Sequence, residues 1–171
     1  MYSYMAEPKS HQELRHYATQ IRCKFNLEKE LFFPIVEFLE IMVNFSPNFC
    51  YDIFEDNEMA ENIHADTDVV NHCIRIKRSV YEGACNGNGR DRMTIAHEIG
   101  HYLMISISGF KLQRSFGATL KPYEDPEWQA KCFAGELLVP AHLISGMDEH
   151  EIAIKCGVSL SAACVQKKHV Q

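Results

Sequence analysis

Asp91-Arg92-Met93-Thr94-Ile95-Ala96-His97-Glu98-Ile99-Gly100-His101-Tyr102-Leu103 is the stretch on which the fold turns. Ala96, Ile99 and Leu103 recur at spacings of three and four, the period of one helix face. The pattern predicts a helix over residues 91–107, with Asp91 as its cap and Ser106, Ser108 and Gly109 at its end. On such a helix His97 and His101 stand one turn apart on one face, so their imidazoles can converge on a single ion. Glu98 lies about 100° round from His97, in reach of a metal-activated water and outside the ligand set. This is a layout for hydrolysis with Glu98 as general base. Two solvated histidines are the competing reading, and the helical context favours the metal site. Gly100 costs a helix interior about 1 kcal/mol relative to Ala, so its place between the histidines predicts close approach of another backbone.

A hydrolytic zinc site uses three protein ligands and leaves one position open, so a third residue is needed. Asp125-Pro126 starts a second helix, by a capping carboxylate and a proline in the first turn, and Pro140 stops it after Val139. Ala130, Phe133, Ala134, Leu137 and Leu138 form its apolar stripe, and Glu127 falls on the edge of that stripe. A carboxylate facing a core needs a partner, which a metal supplies. Glu136 lies about 180° from Glu127 on the same wheel and is expected on a solvated or salt-bridged face. Glu124 belongs to the loop before the helix.

The run Gly89-Arg90-Asp91-Arg92-Met93-Thr94-Ile95-Ala96-His97-Glu98-Ile99-Gly100-His101-Tyr102, followed by Glu127-Trp128-Gln129-Ala130-Lys131-Cys132-Phe133-Ala134-Gly135-Glu136-Leu137-Leu138-Val139-Pro140, resembles the ImmA/IrrE family of metallopeptidases. A weaker likeness extends upstream from Arg75 through Val80 to Ala84, and most of residues 12–145 is covered. Lys131 stands where the family pattern has Asn, and Ile105-Ser106 where it has Leu-His. The resemblance implies His97, His101 and Glu127 as ligands of Zn2+, with Mn2+ or another divalent ion as alternatives, and Glu98 as general base. It also implies a zincin-like α+β fold, with helices around a small sheet of about three strands. As partner it implies a protein substrate, a transcriptional repressor with a helix-turn-helix domain. Zincin-type peptidases hold substrate on an edge strand just upstream of the metal helix, which points to Ile74 and Ile76 here, with an ordinary core strand as the equal alternative. Tyr81, Arg92, Tyr102, Tyr123 and His142 are the candidates for stabilising the oxyanion.

Two units are expected: a metallopeptidase domain over 12–145 and a helical C-terminal appendage over 146–171, with residues 1–11 a loose start. Leu14, Tyr17, Ala18, Ile21 and Phe25 mark a first helix, and Pro34 opens another through Ile35, Phe38, Leu39 and Met42. Residues 51–54 and 72–77 read as strands, with a further one within 63–70. In the tail, Asp148 and Glu151 form a cap-like pair, Gly157-Val158-Ser159 turns the chain, and 160–168 is helical. This resembles a helix-turn-helix unit. A DNA-reading helix wants Arg, Lys, Asn or Gln near its start, whereas this one offers Leu160, Ser161, Ala162 and Ala163. Packing on the peptidase domain is the favoured role of the tail. Two further readings remain open at this stage: a metal-stabilised module that sequesters a regulatory partner without cutting it, and a DNA-binding regulator.

The net charge of −6 argues against general nucleic-acid or anionic-membrane binding, since both reward a basic face. Neither a signal-peptide pattern nor a run of 18 apolar residues is evident. The sequence sets no oligomeric state. Seven cysteines, an odd number at irregular spacing, fit reduced thiols in the cytoplasm better than a disulfide framework. All seven should therefore titrate as free thiols after anaerobic purification and denaturation without reductant; a reproducible native disulfide would contradict that expectation.

Overall fold

A computed structural model describes the backbone of residues 2–108, 113–116 and 121–169, and the side chains of 6–106 and 121–169. Gly109, expected at the end of the metal helix, lies outside the described residues. A three-stranded mixed sheet is built from β2 (Cys50–Phe54), β3 (Ala65–Asp68) and β4 (Cys73–Lys77), in the order β2-β4-β3. β2 runs parallel to β4, pairing Cys50 with Cys73, and β3 runs antiparallel to it, pairing Thr67 with Ile74. A separate ribbon joins β1 (Tyr2–Met5) to β5 (Gln113–Phe116) in antiparallel register. The start of the chain is thus not loose: beyond this pairing, Ala6 and Lys9 donate backbone hydrogen bonds to Glu124 and Tyr123.

Seven α-helices surround the sheet among the described residues: α1 (His11–Lys24), α2 (Ile35–Phe45), α3 (Arg78–Cys85), α4 (Gly89–Ser108), α5 (Pro126–Leu138), α6 (Glu149–Cys156) and α7 (Leu160–Lys168). The fold is α+β and zincin-like. The capping residues read from sequence act as expected at two helices. Asp125 accepts from the Glu127 amide at 3.0 Å and Asp148 from the Glu151 amide at 2.8 Å. At α4 the cap is instead Asn88, whose Oδ1 accepts from the Arg90 and Asp91 amides at 3.0 and 3.3 Å. The helix consequently begins two residues before Asp91.

α4 and α5 cross at the centre of the molecule. Ile95, Ile99, Phe133 and Leu137, all fully buried, join Leu14 of α1, Leu39 of α2 and Ile74 and Ile76 of β4 in one apolar core. Gly100 is where the helices meet: a Cβ there would lie 3.1 Å from the Ala130 carbonyl oxygen and 3.2 Å from the Ala130 Cα. This is the close backbone approach its position foretold.

Of the two settings expected for Glu136, solvated or salt-bridged, the structure shows the salt-bridged one, and it is buried. It is 2% exposed, and its carboxylate meets His11 Nε2 at 2.6 Å and the Arg15 fork at 3.0 and 3.1 Å. The face opposite Glu127 is covered by α1, so Glu136 is a buried ion-pair partner rather than a solvated group.

The C-terminal helices share the central core through Ile152, Cys156, Val158 and Ala163. Arg92, buried within α4, donates to the carbonyls of Gly157 and Phe33 at 2.8 Å each, tying the α6–α7 turn to the metal helix. Gly89 makes that approach possible, because a Cβ on it would lie 2.4–2.7 Å from the backbone of Val158 and Ser159. Backbone cannot swing aside as a flexible side chain can. Gly89→Ala should therefore cost about 1–3 kcal/mol, read as a lower urea midpoint; an unchanged midpoint would mean the tail is not held against α4.

Candidate active site

His97 and His101 project from successive turns of α4, their ring centroids 4.5 Å apart and their Nε2 atoms 3.0 Å apart. Glu127, in the first turn of α5, faces both rings. Its Oε2 lies 3.3 Å from His97 Nε2 and its Oε1 3.1 Å from His101 Nε2. Asp125 fixes where α5 begins and Gly100 fixes how near it lies, and together they aim Glu127 at the histidines. Glu127 is 57% exposed at its side chain, so it stands at the cleft mouth rather than facing the core.

The three donor atoms fit a metal. Four ligands at about 2.05 Å in a tetrahedron lie about 3.3 Å from one another, close to the 3.0–3.3 Å separations here. A plain ion pair explains the trio less well. Burial, reinforced by the neighbouring His101, pushes the His97 imidazole down to about 4, and burial lowers His101 too. Both rings are then neutral near pH 7, the form that offers a lone pair to a cation.

Glu98 turns from the same helix toward β3 and is 7% exposed. The Thr67 hydroxyl donates to its Oε2 at 2.8 Å and lies 3.1 Å from its carbonyl oxygen. Burial raises the carboxyl to about 7; the Thr67 hydrogen bond opposes the rise, and the charges of Glu127 and Asp66 add to it. A carboxyl that exchanges its proton near neutrality is suited to general acid–base work. His97, Glu98, His101 and Glu127 line a cavity of about 560 Å³ whose far wall is β3, through Asp66 and Thr67.

The remaining expected site residues lie elsewhere. Ile74 and Ile76 are fully buried on β4, which is the central strand, so neither can face a substrate. The edge strand beside the cleft is β3. Its sequence, Ala65-Asp66-Thr67-Asp68, is half-buried and polar, as an edge requires, whereas β4 turns Ile74 and Ile76 wholly into the core. None of the five oxyanion candidates lines the metal cavity. Tyr81 donates to Glu40, Tyr102 is buried and bonded to Ser46 at 2.6 Å, and Arg92 is spent on the carbonyls of Phe33 and Gly157. His142 Nε2 lies 2.9 Å from the Glu28 carbonyl, and the Tyr123 ring sits under the Lys121 ammonium. Thr67 went unrecognised, because a single hydroxyl on a short polar strand carries no spacing signal.

The sequence pattern of the Peptidase_M78 family, described as the IrrE N-terminal-like domain, matches residues 52–166. The chain belongs to this metallopeptidase family, which implies a divalent metal. A solved Mycobacterium tuberculosis transcriptional regulator superposes with a TM-score of 0.59 at 16% identity, over 90% of this chain and 45% of that one. At this identity the likeness is one of fold, and the chain spans under half the regulator's length. No curated protein matches.

Thr67→Val should raise the proton affinity of Glu98 further, since the hydrogen bond that opposes the burial shift is gone. Carbon-13 NMR of glutamate-labelled, metal-free protein would read this as a higher titration midpoint. A midpoint unchanged or lowered would mean that Thr67 does not hold the carboxylate.

Proposed function

We propose that this chain is a zinc-dependent endopeptidase acting in the cytoplasm on a regulatory protein, a transcriptional repressor with a helix-turn-helix domain. The observation that carries the reading is the triangle of His97, His101 and Glu127 donor atoms with Glu98 buried beside it. His97, His101 and Glu127 would hold the ion, zinc by the chemistry of two imidazoles and a carboxylate, with manganese or another divalent ion also accommodated. When bound, such an ion supplies Lewis acidity and brings the pKa of water to about 7. Glu98 takes the proton of the water that attacks the scissile carbonyl and then delivers it to the departing amine. Thr67 keeps the receiving oxygen of Glu98 in place. An extended segment of substrate lies along the outer edge of β3, where main-chain hydrogen bonds add one more strand.

Glu98 also argues against a module that only sequesters a partner, because holding a metal needs no buried carboxylate beside the first ligand. Direct DNA reading has equally little support: the start of α7 presents Leu160, Ser161 and Ala162, and the chain is acidic. No helix among the described residues is long and apolar enough to cross a membrane.

Metal analysis and cleavage assays separate the roles. Reconstituted wild type should carry about one divalent ion per chain, and His101→Ala and Glu127→Ala should lose it. Glu98→Gln should keep the ion and bind the partner intact, with cleavage slowed at least about a hundredfold. Unchanged cleavage by Glu98→Gln would make another residue the base. A partner bound by wild type and Glu98→Gln alike and cut by neither would favour sequestration.

A further inference from the structure

A second cavity, of about 570 Å³, opens between α4, α5 and α7. Thr94 and His97 line both cavities, so the two meet at the first metal-site histidine. Their charges are opposite. The metal cavity is lined by Glu7, Asp66, Glu98 and Glu127 and by no Lys or Arg, although Asp66 is itself paired with Arg75 at 2.7 Å. The second carries Arg90 and Lys131, and no Asp or Glu lines it, Glu136 lying behind His11. In a chain of net charge −6 such a concentration of cations is unexpected. Neither Arg90 nor Lys131 has an ion-pair partner among the described residues.

Two further features mark this cavity as a built site. Gln166, 4% exposed, lines it with an Nε2 that has no hydrogen-bond partner. That nitrogen is closed off from the open cavity, so a ligand oxygen meets it only once the amide turns end for end, which its last torsion allows. Gly135 faces Gln166 without a side chain, and a Cβ there would lie 2.7 Å from the Gln166 Oε1. The wall is also fixed: Glu136 holds His11 and Arg15, and Arg15 donates to the His169 carbonyl at 3.1 Å. Trp128 and Val165 supply apolar sides, which strengthen any charge pairing made between them.

We infer that this cavity is a specificity pocket for an aspartate or glutamate side chain of the polypeptide bound across the metal site. Arg90 and Lys131 pair with its carboxylate at the rim, the Gln166 amide donates to it deeper in, and Trp128 packs on its methylenes. A lysine or arginine side chain would meet two like charges, and an alanine would leave the Gln166 donor unmatched. The pocket rests on the peptidase reading for its purpose, but binding to it needs no cleavage.

Trp128 is the chain's single tryptophan, so its emission reports on this pocket alone. Metal-free protein would be titrated with N-acetylated alanine hexapeptides bearing Glu, Gln or Lys at one position, scanned along the peptide. The Glu peptide should shift the emission and bind at least about fivefold tighter than the Lys peptide. Lys131→Glu should reverse the order, and Gln166→Leu should weaken the Glu peptide without favouring Lys. Equal binding of the three peptides, binding of none, or a preference that survives Lys131→Glu would overturn the inference. Cleavage is judged separately with Glu98→Gln, so a failed peptidase reading leaves the acid preference standing, and a failed pocket leaves the peptidase reading standing.

Discussion

The approach of α5 to α4 at Gly100 is the constraint on which the site depends. Three donor atoms from two helices lie within 3.0–3.3 Å of one another, and no side-chain flexibility would bring them there if the axes stood a methyl group further apart. Gly100 sits three residues after His97 and one before His101, and Ala130 sits three after Glu127, so the tightest contact between the helices lies directly behind the triangle. The close-packed core on the other side, with Ile99 against Phe133, keeps the crossing from opening. Metal-site geometry and core packing are here one requirement: whatever separates the helices also pulls Glu127 off the imidazoles.

The same helix pays a second cost at Glu98, whose carboxylate is buried against β3. A lone buried carboxylate is expensive and responds by holding its proton more tightly. Thr67 meets part of that demand with a hydroxyl and leaves the rest unmet, which sets the carboxyl at about 7 rather than in the usual acidic range. The sheet therefore does more than close the core. Its edge strand supplies both the wall of the cleft and, in Thr67, the hydrogen bond that offsets part of the burial of the proposed base.

Much of this was legible in the sequence, for reasons that differ by residue. His97, Glu98 and His101 were legible because helical geometry converts a spacing of four into a shared face, and Glu127 because Asp125-Pro126 fixes the phase of its helix. Ile74 and Ile76 were assigned to a substrate-holding edge strand by analogy, and the structure gives the core-strand alternative instead: β4 is flanked by strands on both sides and both side chains are fully buried. For Glu136 the ion pairing was anticipated and its burial was not, because a helical wheel shows which residues oppose each other and not which neighbour, here α1, covers the far face. Arg92 and Tyr102 have the chemistry of oxyanion donors, and only the packing reveals that their polar groups are already bonded to Phe33, Gly157 and Ser46. The start of the chain was misjudged for a similar reason, since a strand pairing across more than a hundred residues leaves no local trace.

Opposed charge on the two cavities also gives the cleft a direction. An extended polypeptide can cross a metal site in either sense if only main-chain hydrogen bonds hold it, because an edge strand accepts neighbours of both polarities. An anionic wall on one side of His97 and a cationic pocket on the other break that degeneracy. They favour the orientation that puts a substrate's acidic residue against Arg90 and Lys131. Lys131 is also where the chain departs from the Asn of the pattern it otherwise resembles. A substitution one helical turn from Glu127 can change which segment is admitted while leaving the metal triangle untouched. Selectivity in this chain is thus separable from its hydrolytic chemistry: the proposed selecting charges, Arg90 at the start of α4 and Lys131 on α5, are not among the groups that would act on the substrate, His97, Glu98 and His101 of α4 and Glu127 of α5.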